Sequence, residues 1–381
     1  MKNSCVSICV LLYMLGMWNF VSAQPTSKLH ILLKKKLPNA TIKTLEAKDH
    51  FSEAYEIMLT QPLDHQNSAA GNFQQLIYLQ HVDRKQPMVM ETEGYAARFR
   101  TNELSQILKG NQLTVEYRFA GKSKPEKLDW QYLTNDQASD DLHRIKKIFK
   151  KLYKKDWIST GVSKGGQTTL IYKSKYPKDI CVAVPYVAPM PLAQEDKRTD
   201  EHQATIGSDD CRKRIHDFQR VALQQREQLI PMLNRFAENN KLTYSIGTDV
   251  ALEYAVLEFP FSFWQWGGVC DNIPEPSADP EQIFEYINNV VQWNFYSDAS
   301  AEIYLPSFYQ FITELGYYGF PKAHLEDLLV AVPNPSNTIF APKGVDLTYR
   351  NYLHPVVDYL KKKGDRIIYI YGEYDLSLIH I

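Results

Sequence analysis

The chain has 381 residues, long for one simple domain and short for three. Hydrophobic residues make up 44% and charged residues 23%, which excludes a disordered or fibrous chain. Lys plus Arg number 43 against 44 for Asp plus Glu, so the net charge of -1 gives no electrostatic case for nucleic acid or an anionic membrane.

Lys2 precedes an apolar run from Cys5 to Leu15, and Val21-Ser22-Ala23 follows as a small-residue end. A positive start, a short apolar stretch and a cleavage-like site predict a signal peptide at 1–23. No later segment has the roughly 18 consecutive apolar residues of a membrane span. The expected location is therefore secreted or periplasmic. Cleavage after Ala23 removes Cys5 and Cys9 and leaves Cys181, Cys211 and Cys270. In an oxidising compartment these allow one disulfide and one leftover thiol. Cys211–Cys270 is the pairing chosen, with no spacing rule that selects it. Cys181, in an apolar run, reads as a buried small hydrophobe.

After a Lys-rich lead at Lys34–Lys36, strands are predicted over Phe73–Val82, Pro87–Met90 and Gln112–Phe119. A helix follows, with Thr134 or Asn135 as N-cap and Ala138, Leu142, Ile145, Phe149 and Leu152 at helical spacing. Trp157-Ile158 starts another strand, a helix runs from the turn at Ser163 to about Tyr176, and Cys181–Val187 is a buried strand. Strands alternating with helices predict the α/β class, a mostly parallel sheet with helices on both faces. From 194 to 342 the pattern turns helical, through Ile215, Phe218 and Ala222, then Leu229, Leu233 and Phe236. Aromatics crowd this stretch at Tyr254, Phe259, Phe261, Phe263, Trp264 and Trp266. They suit an aromatic-lined peptide cleft or a plain core. The strands resume at Arg366–Tyr371, so the helical stretch reads as a lid inserted into one sheet.

Gly161-Val162-Ser163-Lys164-Gly165 lies between a strand and a helix, the context of a nucleophile elbow. There a serine stands on a strained turn, and the helix N-terminus offers N–H groups to an oxyanion. The carboxylate that orients a catalytic histidine is expected after the resumed strand, at Asp375, with Glu373 as the alternative. Oxyanion donors are expected from the Lys164 N–H and from Gly94 or Tyr95 in the loop after an early strand. Glu91, Glu93 and Glu116 are candidates to bind a substrate ammonium. No cofactor is implied, and no recognised zinc spacing occurs at His202, Cys211 and His216.

Gln61-Pro-Leu-Asp-His65, followed by Gly71–Gln75, resembles the opening of two related families of secreted serine exopeptidases. Val115-Glu-Tyr-Arg-Phe119 with Gly121, Ser123 and Pro125 does too, as does Tyr132–Thr134 with Gln137 and Ala138. One family is the prolylcarboxypeptidase and dipeptidyl-peptidase group, the other the bacterial secreted tripeptidyl aminopeptidase group. Trp157-Ile158, Thr160–Gly166 and Val184–Pro189 are similar to the second specifically. The resemblance implies an α/β-hydrolase fold with a helical lid and a Ser-Asp-His triad, with Ser163 as nucleophile and Asp375 as acid. It implies release of short peptides from peptide N-termini outside the cytoplasm, with peptides as the only expected partners.

The triad order on such a fold is Ser, Asp, His, yet only His380 follows Asp375, too close to lie beyond another strand. His354, His324, His202 and His216 precede the acid and read as ordinary core or surface residues. The family usually has Pro-Trp after the acid, whereas here Leu376–Ile381 follows. That hexapeptide matches one reading frame of a sequencing adapter, so the native chain is expected to continue past Asp375. A chain without the histidine is expected to be inactive. The expected organisation is a signal peptide at 1–23, hydrolase core at 24–193 and 343–375, a lid at 194–342 and a non-native tail at 376–381. An esterase on the same fold and a non-catalytic binding protein are the competing readings. The motifs outside the elbow favour a peptidase.

Overall fold

A computed structural model describes residues 27–375. The signal peptide expected at 1–23, with Ala23, and the non-native tail expected at 376–381, with His380, lie outside these residues. The first unit, 1–38, contributes one described helix, α1 (Lys28–Lys36), capped by Ser27 Oγ, which accepts from His30 N–H at 3.0 Å. Its last turn carries Lys34, Lys35 and Lys36, the sign that suits the negative end of a helix.

The second unit is built on a sheet of seven strands. They are β1 (Thr41–Leu45), β2 (Glu53–Pro62), β3 (Asn72–His81), β4 (Met88–Thr92), β5 (Asn111–Val115), β6 (Trp157–Val162) and β7 (Val182–Tyr186). Their order across the sheet is β1-β2-β3-β5-β4-β6-β7. β1, β2 and β3 pair antiparallel and β3 pairs antiparallel with β5, while β5, β4, β6 and β7 run parallel. The parallel strands are joined through α2 (Glu103–Leu108), α3 (Asn135–Phe149) and α4 (Lys164–Lys175). All five residues of β4 and of β5 are buried, as central parallel strands require. This is the α/β-hydrolase arrangement that the sequence predicts.

Three expectations change in detail. Strands are expected from Phe73 onward, and the structure adds β1 and β2, the latter with Tyr55, Ile57, Leu59 and Gln61 alternating inward. The strand expected over Gln112–Phe119 stops at Val115, because the chain turns away and Phe119 takes a positive φ of 67°. The strand expected at Ile367–Tyr371 is two isolated parallel bridges to β7, Ala183 with Ile367 and Tyr186 with Ile370.

Between β7 and those bridges lie α5 (Arg198–Gln203), α6 (Asp209–Gln224), α7 (Arg226–Asn240), α8 (Thr248–Gln265), α9 (Pro280–Val290) and α10 (Asp298–Gln310). A π-turn at Phe311–Leu315 and α11 (Leu353–Lys363) follow. The helices α6 to α9 and the turn after α9 build their own core from Ile215, Phe218, Leu229, Leu233, Phe259 and Trp293. Tyr254, Phe259, Phe263 and Trp264 are buried in it, so these aromatics fill a core and do not line a cleft. By contrast, α10, the π-turn and α11 pack on α4 through Phe308, Phe311, Leu353 and Leu170. The disulfide is Cys211–Cys270, as chosen. Cys181 is half-buried, not fully buried, with Sγ 3.0 Å from Trp157 O.

The motifs around Gln61–His65 and Glu116–Phe119 have a structural role that the chain order hides. Arg118 from the loop after β5 forms a two-pronged pair with Asp141 of α3, 2.7 Å from Nε and 3.0 Å from Nη2. Asp141 also meets His65 Nε2 at 2.7 Å. Arg118 donates to Leu63 O and Pro62 O as well, at 3.1 and 3.3 Å. Gln61 donates to Gln75 Oε1 at 2.7 Å, and Gln75 donates to Glu116 O at 2.9 Å. The segments around Gln61–His65 and Glu116–Phe119 are thus a buried polar staple that fixes α3 against the sheet.

Candidate active site

Ser163 sits between β6 and α4 with φ 54° and ψ −124°. A serine adopts this left-handed backbone only where its surroundings enforce it. Its N–H donates to Tyr186 O at 2.9 Å, and its carbonyl accepts from Gln167 N–H at 2.9 Å. The glycines explain why the turn closes. A Cβ on Gly161 would lie 2.3 Å from Gly165 O, and one on Gly165 would lie 2.5 Å from Thr92 O. Thr92 reinforces the contact, with Oγ1 2.8 Å from Gly165 O and 2.6 Å from Thr169 Oγ1. The result is a strained strand-turn-helix elbow with a half-buried serine at its apex. Among the described residues no hydrogen bond joins a histidine to Ser163.

The loop after β4 lies beside that elbow, because β4 and β6 are parallel neighbours with Glu91 paired to Thr160. A Cβ on Gly94 would fall 2.5 Å from Lys164 Cβ and 2.8 Å from Gly165 N, so only glycine permits the approach. Gly94, Tyr95 and the Lys164 N–H therefore come together next to Ser163. The register across the sheet also carries to the candidate acid. Val162 pairs with Tyr186, and Tyr186 bridges Ile370, so the turn Gly372–Asp375 leaves the same sheet edge as Ser163. Asp375 is buried and its N–H donates to Gly372 O at 3.2 Å, whereas Glu373 is exposed.

The three glutamates differ. Glu91 is 1% exposed and its carboxylate accepts from Arg100, Asn102, Gln112 and Thr114. Glu116 is equally buried and accepts from Ala97 N–H, Ser123 N–H and Ser123 Oγ. Burial raises its pKa, and those three donors oppose the shift. Both carboxylates are thus engaged by internal donors. Glu93 keeps spare capacity, with Arg100 Nη2 at 3.5 Å as its one ion-pair partner among the described residues. Burial, then the neighbouring Glu91 charge, pushes its carboxyl up to about 7. It borders a void of about 10 Å³, room for one water or one ammonium head.

Lys164 offers more than the backbone N–H expected from the sequence: the residue is 2% exposed, with its side chain buried. Its Nζ donates to Gly94 O at 3.0 Å and to Gln310 Oε1 at 2.9 Å, and lies 3.5 Å from the centre of the Tyr117 ring. Burial holds its pKa well below the ordinary lysine value, with the Glu314 charge opposing. Gln310 donates to Tyr117 OH at 2.9 Å, and Tyr117 OH donates to Asn135 Oδ1 at 3.2 Å. Asn135 donates from N and Nδ2 to Glu314 Oε2, each at 2.8 Å. One network thus connects the elbow, the α3 N-terminus and the π-turn.

His354, His216 and His324 are engaged elsewhere. His354 Nε2 lies 3.0 Å from Leu192 O. His216 and His324 stack at 4.0 Å, and burial, with His216 and Arg220 adding, holds His324 down at about 4. Burial also leaves His202 Nε2 without a partner. Among the described residues no group of three or more His, Cys, Asp or Glu is placed to hold a metal. No helix among them is long and apolar enough to cross a membrane. A cleft of about 810 Å³ runs along α3 past His143 and Lys147 and includes none of the candidate site residues.

The chain is 31% identical over 349 residues to a prolyl tri/tetrapeptidyl aminopeptidase of Streptomyces mobaraensis, covering 89% of this chain and 73% of that protein. Among solved structures it is similar to a proline iminopeptidase of Mycobacterium smegmatis, at 14% identity and TM-score 0.40, covering 88% of this chain and 83% of that one. It is also similar to an acetyl xylan esterase of Paenibacillus sp. R4, at 17% identity and TM-score 0.33, covering 45% of this chain and 60% of that one. The family model described as PS-10 peptidase S37 matches residues 33–378. With a serine peptidase family matched along nearly the whole chain and a glycine-framed serine elbow at its centre, this protein belongs to the PS-10 peptidase S37 family.

Proposed function

We propose that the protein is a secreted or periplasmic serine exopeptidase that releases di- or tripeptides from the N-termini of peptides. The observation that carries the reading is the strained backbone of Ser163, held by Gly161 and Gly165. Ser163 Oγ attacks the scissile carbonyl and forms an acyl-enzyme, with a histidine as base and Asp375 as the carboxylate that orients it. The N–H groups of Lys164 and of Gly94 or Tyr95 receive the oxyanion. Glu93, the glutamate of the three with capacity left, receives the substrate ammonium. The helical stretch 194–342 acts as a lid over the sheet edge, and its size restricts access to peptide ends.

The experiment is turnover of tri- and dipeptidyl amides by the full-length protein, set against p-nitrophenyl esters. Ser163→Ala is expected to remove peptide release, and a fluorophosphonate is expected to label Ser163. Peptide release that survives Ser163→Ala sinks the reading, and turnover of esters alone favours an esterase.

A further inference from the structure

We infer that Lys164 builds both halves of the oxyanion hole, supplying one donor from its backbone and orienting the other with its side-chain amine. The inference rests on the reading of Ser163 as nucleophile.

The loop after β4 is held at three points. Glu93 N–H donates to Val115 O at 3.1 Å, and Tyr95 O accepts from Tyr117 N–H at 3.2 Å. Between them, Gly94 O accepts from Lys164 Nζ at 3.0 Å. The Gly94–Tyr95 peptide is trans, as are all peptides among the described residues. In a trans peptide the carbonyl and the following N–H point in opposite directions across one rigid plane. Fixing Gly94 O therefore fixes the direction of the Tyr95 N–H, away from Nζ. The two N–H groups that lie within this held stretch, of Gly94 and Tyr95, donate to no acceptor among the described residues. They are free to serve an oxyanion beside the N–H of Lys164.

A buried amine is a costly way to fill this space. Methionine would occupy a similar volume with no polar group to desolvate. The amine is matched to its surroundings instead. Two of its N–H groups have acceptors, in Gly94 O and Gln310 Oε1, and the face of Tyr117 receives the rest. The protonated and the neutral amine both carry the two N–H groups that this requires. Gln310, at the end of α10, prevents the lysine from swinging away from Gly94. Lys164 is thus a positioning residue, acting on the reaction through the Tyr95 N–H.

The test is Lys164→Met in the full-length protein, with kcat expressed per site titrated by a fluorophosphonate. A lost oxyanion donor predicts a fall of about a hundredfold in kcat with KM nearly unchanged. Affinity for a peptidyl boronate, which mimics the tetrahedral oxyanion, should fall in parallel. A role confined to folding would lower the number of titratable sites and leave kcat per site intact. Turnover per site within about threefold of the parent overturns the inference. Should Lys164→Met fail to fold, Gln310→Leu carries the test. It is expected to lower kcat per site about tenfold, and an unchanged value overturns the proposal. Activity that survives Ser163→Ala would instead overturn the nucleophile reading and this inference with it.

Discussion

Arg118 and Asp141 face each other in a two-pronged, fully buried ion pair, with Nε 2.7 Å from Oδ2 and Nη2 3.0 Å from Oδ1. Each side chain is at most 1% exposed. The pair joins the end of β5 to α3, whose N-terminus is tied in turn to Glu314 and the Lys164 network. A scaffold contact and the candidate chemistry therefore share one helix.

Breaking this pair leaves an uncompensated buried charge. Asp141→Ala is expected to cost about 3–5 kcal/mol, because Arg118 has no route to water. A urea unfolding series measures it. A loss under about 1 kcal/mol would show that Arg118 finds other partners.

Gly161→Ala tests the packing of the elbow. The new Cβ would sit 2.3 Å from Gly165 O and 2.4 Å from Gly165 C, which are backbone atoms that no rotamer change can move. The turn must open, so Ser163 is expected to lose its labelling by a fluorophosphonate. Retained labelling at the parent rate would mean that the turn tolerates a side chain.

As the proposed ammonium site, Glu93 predicts a pH dependence for substrate binding. Its carboxyl titrates at about 7, so it is charged above that pH and neutral below it. If it holds the substrate ammonium, KM rises as pH falls below about 7. Glu93→Gln is expected to raise KM for free-amino substrates at pH 8 and to flatten this dependence. An identical KM profile in the variant would remove Glu93 from substrate binding.

Glu258 of α8 does the same for stability. Burial pushes it from 4.5 up to about 7, against hydrogen bonds donated by Tyr318 and Ser262. The folded state binds this proton more tightly than the unfolded chain. The stabilisation is therefore fully present below about 4.5 and is lost as pH rises through about 7. The span corresponds to on the order of 3 kcal/mol. Glu258→Gln should lose less stability than the parent between these pH values in thermal melts, and parallel curves would refute the assignment.

The turn geometry of the elbow was legible in the chain because its causes are local. Gly161, Ser163, Gly165 and Gly166 lie within six residues, and the sterics that demand glycine there act between adjacent turns. The helical stretch and its internal core were legible from the spacing of Ile215, Phe218, Leu229 and Leu233. β2 carries an inward alternation at Tyr55, Ile57, Leu59 and Gln61, a strand signal that is present in the sequence as well.

Exposure was not legible. Glu91, Glu93 and Glu116 look alike in sequence, and only the fold fills two of them with donors and leaves the third with capacity. The aromatics of α8 look the same whether they line a cleft or fill a core.

By itself, then, the sequence determined the α/β order, the serine elbow and the family resemblance, because periodicity and turn sterics are short-range. Tertiary structure alone decided that Lys164 reaches Gly94, that Gln310 returns from 146 residues away to hold it, and that Arg118 meets Asp141. Those contacts depend on which groups the sheet order and helix packing exclude from water, and no local pattern records that.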